Sequence, residues 1–514
     1  MATPIPDNRA AFTLEEIARA TGGVLARGTP GAAVVGVATD TRAVRPGALF
    51  VALRGVRFDG HAFLGAAKEA GAAAALVAQG RAAEVPAPLA AVEVEDVLCA
   101  LGDLAGYHRR RWGRTVVAIT GSAGKTTTKE LTAAALAGAG LRVRKTEGNL
   151  NNLVGAPMTL LTLDEGADCA VLEVGTSARG EIARLGAIAG PDVAVVTLAS
   201  AAHTQGLGTV ADVAAEKSAL WRALGRDGTV VFNADDEATA PLARSGVAER
   251  VVSFGAAPGA DVRLVGRSVD LRAGQRATYA IGARRLEASL RLLGEVAALD
   301  AAAALAVARA VAGDARLDDA ARGLGDARPT PGRLQPVPGA GGVLLIDDTY
   351  NASPRAVLAS LRTVAELARL AGTRALAVLG DMKELGDESR RHHEEVGRAA
   401  VAAGLAAVVG CGREMAAATS AAVVEAAARR SAGLAGATAP TRVVHVVEPL
   451  DAIEALRGLL APGDVVLVKG SRSMGMERIV AALREAGDGL GAAEGAGVDG
   501  CGAPERARGG GGGA

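Results

Sequence analysis

The chain has 514 residues, 50% hydrophobic, 2% aromatic and 22% charged, with 56 basic side chains against 56 acidic ones. That length suits about three domains of roughly 150 residues each, and the scarcity of rings means that their cores are built from Ala, Val and Leu. A formal charge of zero argues against a whole-chain electrostatic partner such as nucleic acid or an anionic membrane surface and leaves only a local basic patch open.

The four cysteines, Cys99, Cys169, Cys411 and Cys501, are far apart and form no CxxC pair, which speaks against a disulfide framework or a zinc site. The opening MATPIPDNRAAF has no apolar signal core, and no stretch of about 18 residues is apolar enough to span a bilayer. A soluble cytoplasmic protein is expected. Seven of the 56 cations are lysines and 49 are arginines. A lysine kept in such a background hints at chemistry that arginine cannot do, because arginine does not release its proton in a protein.

The first block, 1–112, opens with TLEEIARATGG. Thr13 as N-cap, Glu16 at the capping-box position and a glycine stop predict a helix. VVGVATDTR and GALFVALRG read as strands, followed by an Ala-rich helix and the strand AAALVA. The second block, 113–327, starts with the strand TVVAIT at 115–120, the loop GSAGK and the helix TTTKELTAAALAGAG. Strand-like runs LRVRKT, CAVLEVG, VAVVTL and GTVVFN follow, and the alternation with helices predicts a mostly parallel sheet with right-handed crossovers. Residues 261–293 predict a small antiparallel excursion before a long Ala-rich helix. The third block, 328–486, begins at the turn RPTPGR and carries the strands VLLIDDTY, RALAVLGDM, LAAVVGCG, TRVVHVV and DVVLVKG, the pattern of a Rossmann-like domain. The tail 487–514, ending GGGGGA, is low in complexity and expected to be disordered. The fold class is therefore α/β, in three domains.

In AITGSAGKTTTKE, glycines and a lysine stand between a strand and a helix. Gly121 and Gly124 let backbone N–H groups approach phosphate oxygens, and the helix N-terminus adds its positive dipole. Lys125 can reach the β- and γ-phosphates, and the Thr126 hydroxyl can bind magnesium. Ile119 occupies the place of the first glycine of a general phosphate loop, so this is a shorter variant. Glu173 closes the apolar strand CAVLEVG, and Asp348 and Asn351 stand at the end of VLLIDDTY; such positions lie at the ligand-binding edge of an open α/β sheet.

The loop TGSAGKTTT resembles the ATP loop of the Mur ligases and their folylpolyglutamate synthetase relatives. Further runs are similar to that family: DTRAVRPGALFVALRGVRFDGHAF, TEGNLNNLVGAPMTLL, ASAAHTQGLG, PGRLQ, LIDDTYNASP, LGDMKELGDES with His393 downstream, and VLVKGSRSMGMERIV. The resemblance covers roughly residues 13 to 485. It implies a UDP-binding N-terminal domain, a central P-loop-type ATPase domain and a Rossmann-like C-terminal domain. YNASP together with KGSRSMGME resembles the member that adds D-alanyl-D-alanine. The implied reaction joins D-alanyl-D-alanine to the terminal carboxylate of UDP-N-acetylmuramoyl-tripeptide through an acyl phosphate, with ATP and Mg²⁺, in a monomer that neither binds nucleic acid nor inserts into a membrane.

The resemblance also implies roles for residues. Thr41, Arg42, Asp59 and His61 would contact the nucleotide sugar. Gly121, Ser122, Ala123, Gly124, Lys125, Thr126 and Thr127 would hold ATP, joined by Asn233, Asp300, Arg333 and Asp348. Asn149, Asn151, Asn152, Asn351, Lys469 and Arg472 would meet the substrates. Thr126, Glu173, His203 and Lys217 would hold magnesium, Lys217 after carbamylation by CO₂, and Lys125, Glu173, His203 and Lys217 would form the catalytic set. Some positions depart from the family. Gly175, Thr176 and Ser177 replace the usual Gly-Ala-Asn. Val296 and Ala297 replace a His-Asn pair, and Asp300 replaces a second Asn, which puts the adenine contacts in doubt and leaves Asp300 to accept from the adenine amino group. Two alternatives stay open: another Mur-type amino-acid ligase, and a P-loop ATP-binding protein without ligase activity.

Overall fold

Strands of two to nine residues alternate with amphipathic or Ala-rich helices to give three large, mostly parallel sheets, beside a small antiparallel pair of Ala11–Thr13 with Ala33–Val35. The computed structural model describes residues 3–55, 58–201, 204–270, 274–432 and 440–485. His203 and the tail 487–514 lie outside the described residues.

The first sheet has five strands in the order Val24–Arg27, Ala90–Val94, Ala74–Ala78, Leu49–Val51, Val37–Ala38. All pairs are parallel except the outer pair of Val24–Arg27 with Ala90–Val94. Helix Leu14–Thr21 begins with the expected capping box, Thr13 and Glu16 each accepting the other's backbone N–H. Helix Val97–Trp112 is stopped by Gly113 in the left-handed region, φ 70°. One face of this helix packs with Phe12, Leu14 and Ile17, and the same core continues into Met158, Leu160, Leu172 and Ile188. The first sheet therefore shares apolar packing with the second.

The second sheet has nine strands. Its order is Arg284–Leu290, Gly274–Ile281, Val262–Asp270, Arg250–Gly255, Thr229–Asn233, Val193–Val196, Thr115–Thr120, Cys169–Glu173, Val143–Lys145. The last seven run parallel, while Val262–Asp270, Gly274–Ile281 and Arg284–Leu290 pair antiparallel. The antiparallel excursion is thus an extension of the central sheet itself. Strand Arg250–Gly255, which the sequence reading passed over, joins the two parts; its first two residues are exposed, so it gave no long apolar run. Helix Glu295–Ala312 is buried on nearly all sides through Ala297, Ala298, Ala301 to Ala304, Ala306 and Ala308. Small side chains let it lie close beneath the sheet and against helix Lys125–Gly138 in one core.

The third sheet has the order Gln335–Pro338, Leu344–Asp348, Val465–Lys469, Ala375–Gly380, Ala407–Cys411, Arg442–Val446. It is parallel apart from its first strand. Gln335–Pro338 contains two prolines, which hid it in the sequence; proline is tolerated there because the strand is at an edge and needs few ladder N–H groups. Apolar cores lie on both faces, one around Val357, Leu361 and Val396, the other around Leu376, Leu456 and Ile479. No helix among the described residues is long and apolar enough to cross a membrane.

Candidate functional site

The phosphate loop leaves strand Thr115–Thr120, an interior strand of the nine-stranded sheet, and enters helix Lys125–Gly138 directly. Two glycines are required by close approach. A Cβ on Gly121 (φ 150°) would stand 1.9 Å from Thr197 Oγ1, and one on Gly124 (φ 82°) would stand 2.7 Å from Asp300 Oδ1. The neighbouring strand end holds the loop: Ser122 N–H donates to Leu198 O at 2.8 Å, Ser200 N–H donates to Ser122 Oγ at 3.0 Å, and the Thr197 hydroxyl lies 2.5 Å from Ala123 O. Lys125 Nζ folds back onto Gly121 O at 2.7 Å. Burial lowers its pKa; Glu173 opposes that shift and Arg333 adds to it.

Glu173 ends strand Cys169–Glu173 beside the loop and is 2% exposed. Thr126 Oγ1 donates to its Oε2 at 2.8 Å, and Asn151 Nδ2 donates to its Oε1 at 2.8 Å. Lys129 Nζ stands 3.9 Å from Oε2 and donates to Thr146 O at 2.7 Å, while the Glu173 N–H donates to Thr146 Oγ1 at 3.0 Å. The sequence reading missed Lys129 and Thr146. A signal for Lys129 was available, because it is one of only seven lysines and lies one helical turn beyond Lys125.

The three asparagines of TEGNLNN have separate positions. Asn151 binds Glu173. Asn152 is exposed and its Oδ1 accepts from Val154 N and Gly155 N at 3.1 and 2.8 Å, which caps helix Gly155–Leu160. Asn149 is exposed and its N–H donates to Thr3 Oγ1 at 3.3 Å.

Lys217 lies on helix Val210–Ser218 and is 2% exposed. Burial, with Lys125 as a neighbouring positive charge, lowers its amine to about 7. Among the described residues, no hydrogen bond or ion pair engages its amine. Thr126 and Glu173 offer hydroxyl and carboxylate oxygens, the donor type that magnesium takes. Among the described residues no group of three or more His, Cys, Asp or Glu forms a metal cluster.

Several expected ligand residues turn inward. His61 is 5% exposed; its Nδ1 meets Asp59 Oδ1 at 2.6 Å and its Nε2 accepts from Ala78 N at 3.0 Å. Both ring nitrogens are used within the domain, so His61 braces its loop and has none left for a nucleotide sugar. Asp59 also pairs with Arg81 at 2.7 Å, which holds its carboxyl well below the usual range. Arg42 is exposed and forks onto Asp40; Thr41 lies beside it in the turn Thr41–Ala43. Asn233 is buried at the end of its strand and accepts from Asp235 N at 2.9 Å, which shapes a turn. Between the first two sheets, Arg9, Arg45, Arg144 and Lys145, interspersed with Asp7, Glu147 and Asp164, line a cleft of about 370 Å³.

The third sheet brings a second set of residues to the loop. Arg333 precedes Leu334, a non-glycine residue at φ 47°, and its guanidinium lies 4.2 Å from the Tyr350 ring centre. Arg333 Nε is buried without a hydrogen-bond partner, and Arg333 acts electrostatically on Lys125 and Asp300 in the central sheet's domain. Arg472 is exposed and its guanidinium lies 5.9 Å from the same ring centre; Tyr350 between two arginines was not foreseen. Asp348 and Lys469, expected to face ligands, face each other at 2.6 Å instead, with side-chain exposures of 9% and 4%. Asp348 also accepts from Ser360 Oγ and Leu334 N, and Lys469 donates to Asn351 O. They form a buried pin because one carboxylate and one ammonium satisfy each other more cheaply than either does alone. Asn351 is exposed and its Oδ1 accepts from Ala352 N. His393 is fully buried, accepting from Met382 N at 3.0 Å and meeting Ser389 O at 2.7 Å. Asp300, expected at the adenine, lies against the loop, where it accepts from Thr128 Oγ1 at 3.1 Å.

Three family models match the chain: Mur ligase family, catalytic domain, over residues 33–109; Mur ligase middle domain over 119–308; and Mur ligase, glutamate ligase domain over 332–472. The chain is 37% identical over 454 residues to the UDP-N-acetylmuramoyl-tripeptide--D-alanyl-D-alanine ligase of Escherichia coli K12, covering 88% of this chain and 94% of that protein. It is 35% identical to the ligase of the same name from Bacillus subtilis 168, covering 92% and 98%. Among solved structures, MurF from Acinetobacter baumannii superposes with a TM-score of 0.80 at 29% identity, covering 94% of this chain and 100% of that one. MurF ligase from Thermotoga maritima in complex with ADP gives 0.73 at 29% identity, covering 87% and 97%.

Proposed function

This chain belongs to the Mur ligase family, and from that premise we infer that it joins D-alanyl-D-alanine to the terminal carboxylate of UDP-N-acetylmuramoyl-tripeptide with cleavage of ATP. The observation that carries the reading is the meeting of loop and carboxylate: Thr126 bonded to a buried Glu173, with Lys125 at the start of the same helix. An amide ligase must first convert a carboxylate into an acyl phosphate, a mixed anhydride with a good leaving group, and ATP serves by transferring its γ-phosphoryl group. That transfer concentrates negative charge, and preorganised positive groups stabilise it.

In this reading the loop 121–127 cradles the phosphates with backbone N–H groups, and Lys125 leaves Gly121 O to meet them. Arg333, brought by the third sheet, adds a second cation to the same space. Magnesium, held by Thr126, Glu173, His203 and Lys217, would neutralise phosphate charge there. Lys217 suits carbamylation: a neutral amine attacks CO₂, an N–C bond forms, a proton leaves, and an oxygen anion replaces the ammonium. Its depressed pKa supplies the neutral amine. The tripeptide carboxylate oxygen attacks the γ-phosphorus and ADP leaves. The amine of D-alanyl-D-alanine then attacks the acyl carbon, and the tetrahedral adduct expels phosphate. Closure of the third domain onto the loop would keep water from the acyl phosphate.

We assign Thr41, Arg42 and the charged cleft between the first two sheets to the UDP-linked substrate, and Asn351 and Arg472 to the substrate side of the third sheet. The domains are taken as 1–112, 113–327 and 328–486, in a chain acting as a monomer in the cytoplasm, where ATP and nucleotide-linked precursors are found. The deciding experiment measures ADP release with the tripeptide precursor, bearing either diaminopimelate or lysine as third residue, with and without D-alanyl-D-alanine. Turnover is expected only with the dipeptide. Equal turnover with glutamate, lysine or alanine as the incoming amine would assign the chain to a different Mur-type ligation.

A further inference from the structure

Asp300 lies in the second turn of helix Glu295–Ala312 and is 6% exposed. Its Oδ1 accepts from Thr128 Oγ1 at 3.1 Å. The same oxygen would be 2.7 Å from any Cβ placed on Gly124, and Oδ2 would be 3.3 Å away. The carboxyl therefore abuts the residue that precedes Lys125, at the helix N-terminus where phosphate oxygens are received.

We propose that Asp300 is a positioning residue that braces the phosphate loop from behind and, through its charge, sets how tightly the loop holds the nucleotide's phosphates. This rests on the reading that the loop binds ATP. Bracing needs only an acceptor for the Thr128 hydroxyl and a flat group that fits against Gly124, so an amide oxygen would serve as well as a carboxylate. The charge is a separate matter. An anion buried beside the loop repels phosphate in a region where screening by water is weak.

The groups that face Asp300 define its balance. Helix Lys125–Gly138 presents Thr128, with Lys125 at its start; the third domain presents Arg333; strand Gly274–Ile281 presents Tyr279, whose hydroxyl donates to Ala298 O at 2.9 Å. Burial pushes the Asp300 carboxyl up to about 7, while the Thr128 bond and Arg333 pull it down. Below neutrality it is mostly uncharged and costs the nucleotide little. Above neutrality it is an anion and weakens phosphate binding.

The test is equilibrium titration of the full chain with Mg–ADP at about pH 6 and about pH 8.5, for the native protein, Asp300→Asn and Asp300→Ala. Asp300→Asn is expected to bind ADP about 5-fold more tightly than the native protein at the higher pH and within about 2-fold at the lower. Asp300→Ala, lacking the acceptor for Thr128, is expected to bind about 3- to 10-fold more weakly than Asp300→Asn at both. In steady state, Asp300→Asn should lower KM for ATP at high pH with kcat changed less. Comparing variants at one pH cancels the titration of ADP itself. The proposal is overturned if Asp300→Asn binds no tighter than native at high pH, or if Asp300→Ala matches Asp300→Asn at both. ADP binding with no such difference would sink this inference alone, whereas a native chain that takes up no ADP would sink the ligase reading with it.

Discussion

Thr126 and Glu173, 47 positions apart in sequence, meet through a 2.8 Å hydrogen bond in which the hydroxyl donates to the carboxylate. The bond ties the start of the phosphate-loop helix to the edge of the adjacent strand. A carboxylate only 2% exposed is costly to keep charged unless donors and cations surround it, and here Thr126, Asn151 and Lys129 do so.

Glu173→Gln keeps the size of the side chain and removes its charge. Ligase turnover is expected to fall by at least about 10²-fold, the scale of losing one preorganised electrostatic group, with little change in melting temperature. ADP release and thermal unfolding measured together check this. A variant retaining half the native rate would remove Glu173 from the site.

Lys217 gives a stability prediction whose sign follows from linkage. Its amine is at about 7 when folded, against an ordinary lysine value of 10.5, so the unfolded chain holds more protons between those values and stability rises with pH across that window. Below pH 7 the burial penalty is fully present. The native protein should therefore gain on Lys217→Met by an amount on the order of 4 kcal/mol as pH climbs from about 7 to 10.5. Urea unfolding in CO₂-depleted buffer measures the difference, and a pH-independent gap would contradict it.

The pin between Lys469 and Asp348 is buried on both sides. Lys469→Met strands the carboxylate and is expected to cost about 3–5 kcal/mol. Adding Asp348→Asn should recover part of that loss, because the remaining group is then neutral. Chemical denaturation of the two variants decides it; an equal or greater loss in the double variant would show that the pair is not electrostatically coupled.

The neighbouring asparagines should separate function from stability. Asn152→Ala removes the acceptor for Val154 N and Gly155 N and is expected to cost about 1 kcal/mol of stability with near-native turnover. Asn151→Ala frees Glu173 Oε1 and is expected to cut turnover about 10-fold or more. Reversal of that order in kinetic and melting measurements would reassign the two.

The amino-acid pattern alone determined the α/β class, the three blocks and the phosphate loop, because glycine spacing, strand period and capping are local properties. It also marked lysine as informative: Lys129, Lys217 and Lys469 are each buried to 4% exposure or less, and Lys125 opens the helix after the loop. It missed the edge strand Gln335–Pro338, whose prolines break the local signal, and Arg250–Gly255, whose first half faces solvent. Tertiary structure decided which polar residues point at a ligand and which satisfy one another. His61, Asp348 and Lys469 sit within motifs and yet have their partners inside the protein, and Asp300 accepts from Thr128 of the phosphate-loop helix and abuts Gly124. The physical reason is that a motif fixes residue types along the chain, whereas the direction of a side chain depends on which distant group supplies its hydrogen bond or counter-charge, and only the packed sheets bring those groups together.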